Sequence, residues 1–286
     1  MKRSLMKIYF TVAAVLYAVM ILMGIFEYIP PNFYRVHQMN FPQLQPPSLE
    51  HLLGTDYYKH DIFSEFIYGA KSTFYSGILA AIPFTLLGIL LGIAASYYEN
   101  RFSYYADRFL EVLNAFPKFI VLLIFIALFG NHVFLLMMIF GIFSSPKLAE
   151  LIKGRVLALK KEMFIDSSIA LGLPHWAIIF RHILWNNSRS IILGQFFFIY
   201  SAAVLIEASL SYVNLGFSQT SVSWGYMLYE ARYASGRTLF AAPWNLGSFH
   251  IKAFVSIMGL TLLTLSMFYL SRYYRQKALE LRGIRE

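Results

Sequence analysis

Apolar stretches of about 20 residues recur along this chain, with its charges gathered between them, and that pattern leaves few folds open. A helix rising 1.5 Å per residue crosses ~30 Å of hydrocarbon in about 20 residues, and inside that layer every backbone polar group must be bonded within the protein. Only 14% of the 286 residues are charged, whereas 58% are hydrophobic, and the mean hydropathy is +0.57. An ordinary soluble domain is about 25% charged, so a single water-soluble core could not hide this much apolar surface. The expectation is an all-α, polytopic membrane protein. The absence of cysteine excludes disulfides, zinc-thiolate sites and iron–sulfur clusters.

Six spans are expected. The first, Ile8 to Phe26 behind Lys2, Arg3 and Lys7, is too long for the core of a secretion signal and lacks a small-residue cleavage site, so it reads as retained. The others run from about Phe74 to Tyr98, Phe109 to Phe129, His132 to Ser145, Ile191 to Val213 and Ala253 to Ser271. The helix of the short fourth span is expected to continue through the charged stretch Lys147–Lys161. Pro117 predicts a kink at the start of the third span and Pro83 another in the second. Lys118, within the third span, is expected to snorkel to the headgroups. Six spans place both ends on one side. Seventeen basic residues fall in segments on that side and six on the other. This is positive-inside bias, and it puts both termini in the cytoplasm. It also explains the net charge of +9 as membrane orientation rather than nucleic-acid binding.

The chain divides into residues 1–70 (a first span, a proline-rich external segment and an interfacial helix) and a core at 71–286. The segment from Glu27 to Lys59 holds five of the ten prolines, Pro30, Pro31, Pro42, Pro46 and Pro47, and is expected to be extended and non-helical. Ile62, Phe63, Phe66 and Ile67 form a stripe that fits an interfacial helix before the second span. Glu207 lies near the outer end of the fifth span; an ionised carboxylate in hydrocarbon is costly, by roughly 2.5–3.5 kcal/mol at a helix centre. It is expected either to face a pore or gate, or to fix helix packing through the Ser209 and Ser211 region. Gly216 and Trp224-Gly225 suit a re-entrant or interfacial loop, with Trp224 as a headgroup anchor.

The loop between the fourth and fifth spans is the most informative. It reads FIDSSIALGLPHWAIIFRHILW from Phe164 to Trp185. Ile165 and Ile169 make an apolar pair one turn apart, Gly172-Leu173-Pro174 then stops the helix, and Trp176, Ile179, Phe180 and Ile183 repeat the apolar spacing. Two short amphipathic helices joined by a tight turn must bury their apolar faces on the bilayer, on their own bundle or on a partner.

That segment resembles the cytoplasmic loop of binding-protein-dependent ABC importer permeases, whose signature runs E-A-A, three residues, Gly, nine residues, I-x-L-P. Asp166, Ser167 and Ser168 stand at the E-A-A positions and Gly172 at the glycine. Arg181 to Asn186 resemble the R-H-I-L-P-N run of the dipeptide, oligopeptide and nickel subfamily, with Trp185 in place of the proline. His51 to Ser72 is similar to that subfamily's segment before the second span, and Glu207 to Leu228 to its E-A-S-L-S-F-L-G-L-G…P-S-W-G-x-M-L segment. Three motifs in order point to the dipeptide-permease C type.

The resemblance implies a type I importer permease fold. It implies that Asp166, Ser167, Ser168, Gly172, His182 and Leu184 form a coupling helix seated on a cytoplasmic ATPase, and that Glu207, Ser209, Ser211, Asn214 and Gly216 belong to the translocation path or gate. The implied partners are a homologous second permease, two ATP-binding subunits that hold ATP and Mg, an external solute-binding protein and the lipid bilayer. No cofactor and no catalytic residue is expected in this chain. The implied setting is the bacterial cytoplasmic membrane, and the solutes are peptides or related small molecules, nickel chelates included. An enzyme would have to use His51, Asp56, His60 and Asp61 as a metal site, although their spacing matches no helical ligand pair. Gly69 to Thr73 lacks the full phosphate-loop pattern. A self-sufficient secondary transporter remains an alternative, but no repeat or relay of buried charges is visible.

Overall fold

The computed structural model describes residues 15, 18–20, 22, 41–97, 101–216, 222–238 and 246–280. Most of the expected first span and the end of the basic C-terminal tail lie outside the described residues. The helices are α1 (Ile62–Ala94), α2 (Arg101–Ala115), α3 (Lys118–Phe129), α4 (Val133–Ser144), α5 (Pro146–Leu159), α6 (Met163–Ala170), α7 (His175–Ala177), α8 (Arg189–Tyr212), α9 (Trp224–Thr238) and α10 (Leu246–Glu280). A π-helix, Ile178–Ser188, joins α7 to α8. No strand occurs among the described residues; Thr55 and Asp61 form a lone bridge.

Among the described residues, four continuous stretches are long and apolar enough to cross a membrane: Ile62–Ala94, Val133–Leu159, His175–Tyr212 and His250–Leu279. The pair α2 and α3 makes a fifth if it is counted as one broken span, and its two halves meet at 79°. Pro117 causes that break. It sits extended (φ −63°, ψ 114°) before α3, and a proline both lacks an N–H and pushes the preceding residue out of the helical region. Pro83, by contrast, lies inside an unbroken α1.

The expected interfacial helix before the second span is not separate. Ile62 is the first residue of α1, and Ile62 and Ile67 are buried in the protein rather than laid on a bilayer. Without proline or charge repulsion between residues 67 and 74 to stop it, the helix runs straight on. The described part of the external segment is non-helical as expected, but it folds back on itself. Thr55 accepts from the Gln45 N–H and donates to the Pro42 carbonyl at 2.7 Å, and the Leu44 N–H bonds the Asp56 carbonyl.

The chain forms two compact units. The first comprises residues 1–77, 131–133 and 204–266. Its centre is Trp224, fully buried, stacked on Phe66 and donating its indole N–H to the Phe66 carbonyl at 2.9 Å. The Trp224 backbone N–H bonds the Thr73 hydroxyl. Trp224 is therefore a core residue and not a headgroup anchor: a buried indole needs an acceptor, and α1 supplies one. The second unit comprises residues 78–130, 134–203 and 267–286. There α1 and α4 touch so closely that a Cβ on Gly141 would lie 2.2 Å from the Ala80 carbonyl oxygen. Small residues that let backbones meet are a common means of packing helices in lipid.

Candidate functional site

The loop picked out by its sequence forms a bent foot in the second unit. α6 ends in a Schellman turn: the Leu173 N–H reaches the Ser168 carbonyl and the Gly172 N–H the Ile169 carbonyl. Gly172 takes φ +76°, where a side chain is disfavoured, and Pro174 precedes α7. The turn expected from Gly172-Leu173-Pro174 is thus present.

The foot's second half departs from the expected 3.6-residue periodicity. Ile179 and Ile183 are buried, but Trp176 and Phe180 are exposed. The fully buried positions are Ile178, Ile183 and Ser188, each five residues after the last. That spacing is the i→i+5 winding of a π-helix, which keeps residues four and five apart on one face and carries those three apart, such as Trp176 and Ile179, onto different ones. The Asn187 amide donates to the His182 carbonyl across the same five-residue interval at 2.7 Å.

The foot is two-faced. Ile165, Ile178, Ile183 and Leu184 face the protein, whereas Met163 (83% exposed), Leu171 (82%), Trp176 (67%) and Trp185 (66%) face away from it. Of the residues that the sequence motif singles out, Asp166, Ser167 and Gly172 are exposed, Ser168 and Leu184 are buried, and His182 is half-buried near the Phe164 ring. Ser167 and Ser168 donate to the Met163 and Phe164 carbonyls one turn back. Each hydroxyl is satisfied inside its own helix, so serine fits here almost as alanine would.

In the first unit, Glu207 is buried. Its Oε1 accepts from Ser211 at 2.7 Å and from Ser223 at 2.8 Å, while Oε2 has no partner among the described residues. Ser223 also accepts from the Tyr226 N–H, so it caps α9 and ties that cap to α8. The contact is tight: a Cβ on Gly225 would lie 2.5 Å from the Ala208 Cα. α8 ends in a second Schellman turn, with Asn214 at φ +63° and the Leu215 N–H on the Leu210 carbonyl. Asn131 donates to the Asn214 carbonyl at 3.1 Å. Gly216 is buried against Ser211. Ser209 lies on the other face of α8, where Leu205, Ser209, Tyr212, Arg232, His250 and Ile257 line much of a cavity of about 710 Å³. Of the five expected path residues, Glu207, Ser211 and Gly216 are therefore buried, whereas Ser209 and Asn214 are exposed.

A third feature was not legible in the sequence. The Lys252 ammonium lies 2.7 Å from Asp56, 2.7 Å from Glu65 and 2.6 Å from Glu230, with all four side chains buried. His60 Nδ1 is 2.9 Å from Glu65 and 3.7 Å from Asp56. Burial alone would push the Asp56 carboxyl up, but Lys252 and His60 beside it hold it well below the usual range. Burial would lower His60, yet its bonds to Asp56 and Glu65 lift it to about 10. Burial lifts Glu230 to about 7 against the opposing pull of Lys252. The His51, Asp56, His60 and Asp61 set weighed as a metal site is divided: His51 pairs with Asp61 at 3.0 Å, and Asp56 and His60 join the cage around Lys252. The ammonium stands where a cation bound by these carboxylates would have to sit.

Comparison with known proteins then decides the family. Residues 67–278 match the family described as binding-protein-dependent transport system inner membrane component. The chain belongs to this family. It is 32% identical over 236 residues to the glutathione transport system permease protein GsiD of Pectobacterium atrosepticum, covering 80% of this chain and 77% of that one. It is 31% identical over 203 residues to the dipeptide transport system permease protein DppC of Alkalihalophilus pseudofirmus, covering 71% of this chain and 65% of the relative, just under two thirds of its length. An Escherichia coli GsiD is 33% identical over 225 residues. The chain is an ABC importer permease of the dipeptide and oligopeptide subfamily, a multi-pass membrane protein with the helical type I permease fold.

Proposed function

We propose that this permease forms half of a peptide-conducting path with a homologous second permease, and that the foot from Met163 to Ser188 is seated on a cytoplasmic ATP-binding subunit. The observation that carries this reading is the two-faced foot. One face is anchored by Ile165, Ile178 and Ile183, and the opposite one offers Met163, Leu171, Trp176 and Trp185 on a bent, hydrogen-bonded lever. Exposed apolar surface of this kind marks an interaction site, and Asp166 beside it adds a charge for a basic partner. Two ATP-binding subunits hold ATP and Mg, an external solute-binding protein delivers the solute, and both termini lie in the cytoplasm in keeping with the distribution of basic residues.

Glu207, Ser211, Asn214 and Gly216 set the packing at one end of the path, and Ser209 faces the solute. The relatives named for dipeptides and glutathione support small peptides as the solute class. The test is Gly172→Val in the complex purified with its ATP-binding subunits. Hydrolysis should persist while uptake of a radiolabelled dipeptide or glutathione falls at least tenfold. Undiminished uptake per ATP would rule out the foot as the lever, and failure of the ATP-binding subunits to co-purify with the unmodified chain would rule out the docking.

A further inference from the structure

Tyr97 follows the last turn of α1 and is buried. Its hydroxyl lies 2.8 Å from Nδ1 of His175, 78 residues away at the start of the foot's second half, and the two rings meet edge to face at 5.7 Å. Lys160, which caps α5 ahead of the foot, donates its ammonium to the Tyr97 carbonyl at 3.3 Å. Both arms of the loop therefore converge on one residue at the end of a span. Ile165, Ile178 and Ile183 bury apolar side chains, whose contacts can slide; a hydrogen bond between two rigid rings fixes both position and direction.

We propose that the Tyr97–His175 hydrogen bond is the pin through which movement of the foot is passed to α1. α1 is one uninterrupted helix of 33 residues, and the Tyr97 N–H bonds the Ile93 carbonyl in its last turn at 2.8 Å, so a push at Tyr97 is delivered to the end of α1. His175 opens α7, two residues after the turn that ends α6. Tyr97 and His175 are positioning residues: they touch neither solute nor ATP. This inference rests on the docking of the foot proposed above.

The chain has no native cysteine, so pairs of spin labels can be placed cleanly in the complex with its ATP-binding subunits. One pair, at Leu90→Cys and Leu128→Cys, reports the membrane helices; the other, at Leu157→Cys and Arg181→Cys, reports the foot. All four sites are exposed and none belongs to the docking face named above. With ATP and vanadate, both distances should change in the otherwise unmodified chain. In Tyr97→Phe the foot pair should still respond, while the helix pair loses most of its shift and uptake per ATP falls at least fivefold. His175→Ala should behave likewise and the double variant should add nothing, whereas His175→Gln, which keeps a bonding partner, should restore the response. An unchanged helix response in Tyr97→Phe overturns the pin, as does a helix pair that never responds to ATP. Loss of both responses together with a lower melting temperature assigns the bond to folding alone and overturns it too. Failure of the ATP-binding subunits to bind the unmodified chain overturns the docking, and the pin with it.

Discussion

Lys252 and Glu230 face each other at 2.6 Å, 22 residues apart in the chain and both almost fully buried. Asp56, in the segment before α1, shares the same ammonium at 2.7 Å. One cation thus joins three stretches of chain, the segment leading into α1, α9 and α10. An ion cluster of this kind contributes less to net stability than its short distances suggest, because desolvation offsets much of the attraction. Removing one partner is another matter.

Lys252→Met should be strongly destabilising, by roughly 3–5 kcal/mol, because it leaves buried carboxylates uncompensated. The exchange Glu65→Lys with Lys252→Glu keeps the same charges in the same cage and should recover most of that loss. Thermal melting in detergent checks both. A double variant no better than Lys252→Met would show that the cage depends on side-chain shape and not on charge.

The cage should also make stability depend on pH. His60, raised from 6.5 to about 10, contributes stability that is complete below pH 6.5 and lost as pH rises toward 10. Glu230, raised to about 7, contributes in the same sense, present below about 4.5 and lost through 7. Asp56, held low, works oppositely: its contribution is present above about 4 and fades only in acid. Melting temperature should therefore fall from pH 6 to pH 10, and His60→Gln should flatten the upper part of that slope. A profile that His60→Gln leaves unchanged would remove His60 from the account.

Glu207→Ala should leave the Ser211 and Ser223 hydroxyls without their acceptor, at a cost of roughly 1–3 kcal/mol. Ser223→Ala should cost less than Glu207→Ala, since Ser211 still serves the carboxylate. Chemical or thermal unfolding of the two variants gives the order, and the reverse order would mean that the cap on α9 matters more than the carboxylate.

Two glycines should respond differently to the same change. Gly225→Ala places a Cβ 2.5 Å from the backbone of α8 and should abolish well-folded protein. Gly172→Ala meets open space and pays only backbone strain at φ +76°, roughly 1–2 kcal/mol. Expression level and gel-filtration profile in detergent separate them, and equal behaviour would contradict the close approach at Gly225.

Much of this permease is legible along the chain. Apolar runs mark the described spans because hydrocarbon thickness dictates their length, and Gly172 with Pro174 marks the foot's turn because few residues tolerate φ +76°. The 3.6-residue stripe from Trp176 to Ile183 misled for an equally physical reason: composition does not reveal π winding, and the i→i+5 pattern shows only in which side chains are buried. Trp224 misled because an indole near the end of a span suits either a headgroup or a core, and only the Phe66 carbonyl and ring decide which.

By itself the sequence determined what is local or periodic: a helical membrane chain, its described spans, the breaks at Pro117 and Gly172, and the motifs of its family. Tertiary structure alone decided what depends on residues far apart in the chain. The Lys252 cage, the bond from Glu207 to Ser223 and the meeting of Tyr97 with His175 each join side chains 16 or more positions apart. No pattern in a linear string encodes such pairs, since a buried charge or hydroxyl is stabilised by whichever partner the packed helices bring within hydrogen-bonding reach.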